Sequence, residues 1–113
     1  MTALKPQSKK AKGKRLENKI AQMYREIDIE AKRMPLSGAD SMLKGDIYKR
    51  VYDGWVDECK NQEKVKLWEW WEQAESQCSH NQKPVLFISG NHRPILAVMR
   101  AEDYFQLRKE VKE

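Results

Sequence analysis

Four acid-x-lysine pairs occur along the chain: Glu17/Lys19, Glu30/Lys32, Glu58/Lys60 and Glu110/Lys112. A carboxylate and an ammonium two residues apart share a site only on a β-strand, where alternate side chains face the same way. On a helix that spacing turns them about 200° apart. Three of the pairs lie in helix-like segments. Glu58 and Lys60 lie in Trp55-Val-Asp-Glu-Cys-Lys60, which predicts a strand. Cys59 then faces the opposite side, which suits a small buried residue. Asp46 lies upstream, across Asp53-Gly54, a good hairpin signal. Adjacent antiparallel strands would bring its carboxylate within a few ångströms of Glu58.

Two carboxylates that close repel each other, and a divalent cation relieves the repulsion. Mg2+ suits such a pair because it takes oxygen ligands, often one or two carboxylates, with water and a phosphate completing the shell. The ion would polarise a phosphoryl oxygen and acidify a coordinated water. Lys60 would orient or deprotonate that water, and Glu17, on the first helix, would add a ligand through water. On spacing alone, Glu58 and Lys60 are equally what a solvated strand carries, and Asp46 what a turn carries.

These residues need elements to hold them. Leu16, Ile20, Met23, Tyr24, Ile27 and Ala31 form one helical stripe, predicting a helix from Lys14 to about Lys32, with Pro35 ending it. Residues 34–45 read as a loop, and Asp46 to Val51 as a short strand. A second helix is expected over 65–79, on the stripe Leu67, Trp71, Ala74 and Cys78. Pro84 to Ser89 and Pro94 to Met99 are short apolar runs with β-branched residues, hence strands. A last helix covers about 102–112. The order α-β-β-α-β-β-α fits an α/β domain, a mixed sheet flanked by helices.

At 113 residues, 40% hydrophobic and 35% charged, the chain suits one small globular domain. Its net charge of +5 is uneven: residues 1–15 hold six bases and no acid, and the rest is near neutral. Residues 1–13 are therefore expected to be a flexible basic tail and 14–113 the domain. Lys9, Lys10, Lys12, Lys14 and Arg15 could grip the phosphates of a polyanion without reading sequence, or simply be a solvated end. No apolar run is long enough for a membrane span or a secretory signal, which points to the cytoplasm. No phosphate-binding glycine loop appears, so no nucleotide cofactor is expected. His80 and His92 read as solvated turn residues. Trp55 and Trp71 read as core. Trp68 and Trp70 cannot both face as Trp71 does, so at least one should be partly exposed, at a dimer seam or on DNA.

Gly13-Lys-Arg-Leu-Glu17, then Ser37-Gly-Ala-Asp-Ser-Met-Leu-Lys-Gly-Asp46-Ile, then Val56-Asp-Glu58-Cys-Lys60, resemble the PD-(D/E)XK nucleases. Within them the order is most similar to the archaeal-type Holliday junction resolvases and their phage relatives, over about residues 13–105. The resemblance implies a restriction-endonuclease-like fold and Mg2+-dependent hydrolysis of DNA, with Mn2+ substituting. It implies Asp46, Glu58 and the Cys59 carbonyl as metal ligands, Lys60 as the catalytic lysine and Glu17 as the acid of the first helix. Ser37 would lie near the phosphodiester, and Gln73 would be a glutamine of the second helix. The implied substrate is branched DNA, cut by a homodimer. A nuclease tolerant of flaps, nicks or damaged duplex, or a catalytically silent DNA-binding protein, are the alternatives. The chain departs from the family pattern in having Gly45 where proline is usual, in its tryptophan-rich second helix and in its long basic N-terminus.

Overall fold

The computed structural model describes residues 8–34 and 45–112; the expected position of Ser37 lies outside them. The elements run α1 (Lys9–Glu26), β1 (Ala31–Arg33), β2 (Ile47–Lys49), β3 (Trp55–Asn61), α2 (Leu67–Ser76), β4 (Lys83–Ser89), β5 (Leu96–Val98) and α3 (Ala101–Lys112). This is an α/β fold with helices flanking mixed sheet, as the sequence implies. Among the described residues no helix is long and apolar enough to cross a membrane.

β3 and β4 pair in parallel through the α2 crossover, and β5 pairs antiparallel to β4. In register, Glu58 lies beside Leu86 and Cys59 beside Phe87. Register neighbours share a face. Cys59 and Phe87 pack with Leu16, Ile20, Ala21 and Ala31 under α1, whereas Leu86 packs with Trp70 and Ala74 of α2. Each face of β3 thus has its own apolar cluster, and Glu58 and Lys60 lie on the α2 side.

Three expectations change. α1 begins at Lys9, not Lys14, because Ser8 caps it: its hydroxyl accepts the Ala11 N–H at 3.1 Å. Residues 9–13 are therefore helix, and Lys9, Lys10, Lys12, Lys14 and Arg15 stand on its first two turns. α1 also ends early, at Glu26. Asp28 turns left-handed (φ 65°) and the Ile29 N–H bonds back to the Tyr24 carbonyl at 3.0 Å. Ala31 is buried as the helical stripe requires, but it is buried from a strand. That strand, β1, pairs antiparallel with β2.

The expected hairpin between β2 and β3 gives way for a reason visible in Lys49. Its ammonium, nearly buried, reaches the Trp55 carbonyl at 3.2 Å, Asp53 at 2.8 Å and Asp57 at 2.9 Å. A side chain thus occupies the place of the strand ladder, and residues 50–54 make a wide connection. Asp57, wholly buried, also accepts the Tyr24 hydroxyl of α1. Burial pushes the Asp57 carboxyl up, with Lys49 opposing. Burial likewise pushes the Tyr24 hydroxyl far above its ordinary range, so it stays a donor. Smaller shifts follow in α2, where Trp70 is buried, Trp71 half-buried beneath Arg100, and Trp68 74% exposed. Trp55 is half-buried beneath Lys83, and Cys78 is half-buried.

Removing Asp57 leaves Lys49 in a site where its side chain is 6% exposed, with Asp53 and the Trp55 carbonyl as its remaining partners among the described residues. Asp57→Ala is expected to lower stability by about 3 kcal/mol, measured by urea unfolding. An unchanged midpoint would show that Asp57 contributes nothing to holding α1 and β2 on β3.

Candidate active site

Asp46 is fixed at three points. Its N–H donates to the Asp57 carbonyl at 2.8 Å, its carbonyl accepts the Met34 N–H at 2.8 Å, and its Oδ2 accepts the Cys59 N–H at 2.7 Å. The first and third contacts use the edge of β3 that β4 leaves open. In a strand, a residue's N–H and C=O leave on the same edge. The Cys59 carbonyl therefore points along the edge where Asp46 sits.

Gly45 makes this approach possible. It adopts φ +82°, and a Cβ there would lie 2.6 Å from the Asp57 carbonyl oxygen and 2.9 Å from the Val56 side chain. Proline, locked near φ −65°, could not take this conformation. Glycine at this position is thus the local solution that seats Asp46 against β3.

The expected cluster is brought together. Glu58 is buried, in hydrogen-bonding contact with Asp46, and its carboxyl is pushed up to about 8. Burial is the main cause and the Asp46 charge the next; Lys60 opposes both. The Lys60 ammonium lies 3.8 Å from Glu58 Oε1 and stays partly exposed. Glu17 lies near enough for its carboxyl to be raised by burial and then by Asp46. Its Oε1 is engaged by Arg33 at 3.2 Å, a partner that nothing in the spacing of the sequence announced. The Cys59 thiol faces the α1 core, and burial raises it beyond any physiological ionisation.

Other expected residues stand at the surface. Gln73 is exposed on α2. Lys10, Lys14 and Arg15 are exposed on α1. Sequence reading passed over Asp57, Lys49 and Tyr24. The available signal was an acid on the core-facing register of a strand, two residues before Cys59.

The arrangement can hold a cation or share a proton. Two buried carboxylates in contact are unfavourable when both are charged, and an ammonium alongside lessens the repulsion without removing it. The oxygen donors Asp46, Glu58 and the Cys59 carbonyl are of the hard type that Mg2+, Mn2+ or Ca2+ prefers. Among the described residues no three His, Cys, Asp or Glu side chains form a ready-made cage. The fit is that of a two-carboxylate site.

Two outcomes are expected. Gly45→Ala should cost about 2 kcal/mol or more, from the left-handed backbone and the clash with Asp57; a wild-type urea midpoint would contradict the close approach. Glu58 holds its proton up to about 8 in the folded chain, against an ordinary 4.5. The stability it adds is full below the lower value and lost as pH rises through the upper one. In EDTA the melting temperature should therefore fall between about pH 5 and about pH 8.5, and Glu58→Gln should flatten that fall.

No curated protein and no solved structure matches the chain. Residues 8–113, which hold every element described above, match the family described as "Phage putative PDDEXK endonuclease". With its acid-x-lysine strand and its strand-edge aspartate in place, this chain belongs to that PD-(D/E)XK family.

Proposed function

We propose that the chain hydrolyses phosphodiester bonds in DNA using Mg2+, with Mn2+ able to substitute. One observation carries the reading: two buried carboxylates, Asp46 and Glu58, meet at a strand edge with the Lys60 ammonium beside them. Asp46 and Glu58 would hold the ion, and the Cys59 carbonyl would add a third oxygen. Water and a substrate phosphate would complete the shell. When bound, the ion would polarise a phosphoryl oxygen and lower the pKa of a coordinated water.

The chain's own groups do the rest. Lys60 offers three donors and a positive charge. It would orient the attacking water and offset the charge that builds on the phosphorane. Glu17, held by Arg33, would reach the ion through water. The three contacts on Asp46 fix its carboxylate before substrate arrives, so little reorganisation remains for the chemical step.

Branched DNA, a four-way junction, is the substrate that the sequence resemblance supports. The basic first turns of α1 suit an enzyme that grips phosphates and selects by shape. Two copies would act together, one on each cut strand. Exposed Trp68 on α2 and Phe105 on α3 offer apolar surface for a second copy to cover.

A cleavage panel tests this: junction, flap, nicked, duplex and single-stranded DNA with Mg2+. Paired symmetric nicks in the junction, with linear duplex spared, are expected. Equal cutting of linear duplex would remove the junction reading. Asp46→Asn, Glu58→Gln and Lys60→Ala should each lower cleavage by at least about 100-fold, with binding kept, and tighter in Asp46→Asn because a negative charge near phosphate is lost. Full activity in either acid variant would remove the proposed metal site. Mg2+ should raise the melting temperature of the wild type more than that of Glu58→Gln at about pH 8.

A further inference from the structure

A pocket of about 320 Å³ opens where α1 begins and β3 ends, lined by Lys9, Lys12, Asn61, Glu63, Lys64 and Lys66 among others. Its lysines outnumber their partners. Lys12 pairs with Glu63 at 3.1 Å, and Glu63 also accepts the Asn91 backbone N–H. Among the described residues Lys9, Lys64 and Lys66 have no carboxylate partner. Ammonium groups gathered around one concavity repel one another, and an anion relieves that repulsion.

The helix adds to the same field. The first turn of α1 holds no acid, although the positive end of a helix dipole ordinarily favours acids there. Lysines at that end repeat the sign of the dipole instead of cancelling it. Asn61 supplies an independent observation. It is 7% exposed, and its Nδ2 donates to the Lys12 carbonyl at 2.9 Å, tying the two walls together. Its Oδ1 is buried with no hydrogen-bond partner. A buried acceptor left unmet costs free energy. A water that donates one hydrogen to Oδ1 and the other to a phosphate oxygen would meet it.

The pocket adjoins the catalytic cluster without belonging to it. Asn61 follows Lys60 but faces the other side of β3. Lys12 stands five residues before Glu17 on α1, about 7.5 Å along the axis. Asn61 stands three residues beyond Glu58, about 10 Å along the strand. One DNA strand advances about 3.4 Å per nucleotide. We infer that this pocket holds backbone phosphates of the DNA within about three nucleotides of the cleaved bond, with Lys64 and Lys66 as phosphate-binding residues. The inference rests on the nuclease reading.

The test is DNA affinity, by fluorescence anisotropy in EDTA across a range of salt concentrations, for the full chain and two double variants. Lys64→Ala/Lys66→Ala should reduce the slope of log affinity against log salt by roughly 2, at about 0.9 per phosphate contact. Lys19→Ala/Lys109→Ala removes the same charge from exposed sites elsewhere and should leave the slope unchanged. An unchanged slope in the first variant, or an equal fall in both, overturns the pocket while leaving the nuclease reading to its own cleavage panel. A wild-type chain that neither binds nor cuts DNA overturns both.

Discussion

The geometry of the cluster depends on the open edge of β3. That edge offers the Asp57 carbonyl, then the Cys59 N–H, at the two-residue spacing of a strand. Asp46 answers both, one with its backbone and one with its side chain. A ladder between β2 and β3 would have used those groups for ordinary pairing. β2 pairs with β1 and makes no ladder with β3, so the edge stays open and a carboxylate lies along it. Gly45 permits the close approach, and Met34 closes the third side.

β3 also separates two kinds of buried charge. On its α1 face, Asp57 is met by Tyr24 and Lys49, which oppose the cost of burying its charge, and its role is structural. On its α2 face, Glu58 is met by another carboxylate and by a lysine 3.8 Å away, so its charge is incompletely compensated. The contrast lies within one dipeptide. A well-partnered buried acid contributes to a single fold. A poorly partnered one leaves the molecule ready to take up a proton or a cation.

The same logic reaches the start of α1. Sequence charge alone suggested a loose basic arm, whereas the Ser8 cap makes Lys9 and Lys12 part of a rigid wall. A lysine on a helix has a fixed distance to Glu17 and hence to the cluster, which a flexible tail would not give. Held there, the basic charge has a direction with respect to the strand that carries Glu58 and Lys60.

Much of this was legible in the residues themselves. Alternation along Trp55–Lys60 was enough to place Glu58 and Lys60 on one face and Cys59 on the other, because side-chain direction in a strand is a local property. α2 followed from periodicity for the same reason, β4 from a short apolar run with β-branched residues, and the α/β class from the order of the elements. Tertiary contacts decided the rest. Ile27 to Ala31 fits a helical stripe, yet Asp28 turns left-handed and β1 pairs with β2, since a distant strand offers the backbone other partners. Whether Asp46 faced a hairpin or a bare strand edge depended on where Lys49 buried its ammonium, and Glu17 was claimed by Arg33 from another element. Pairings between residues far apart in sequence leave no periodic trace, so only the folded chain could reveal them.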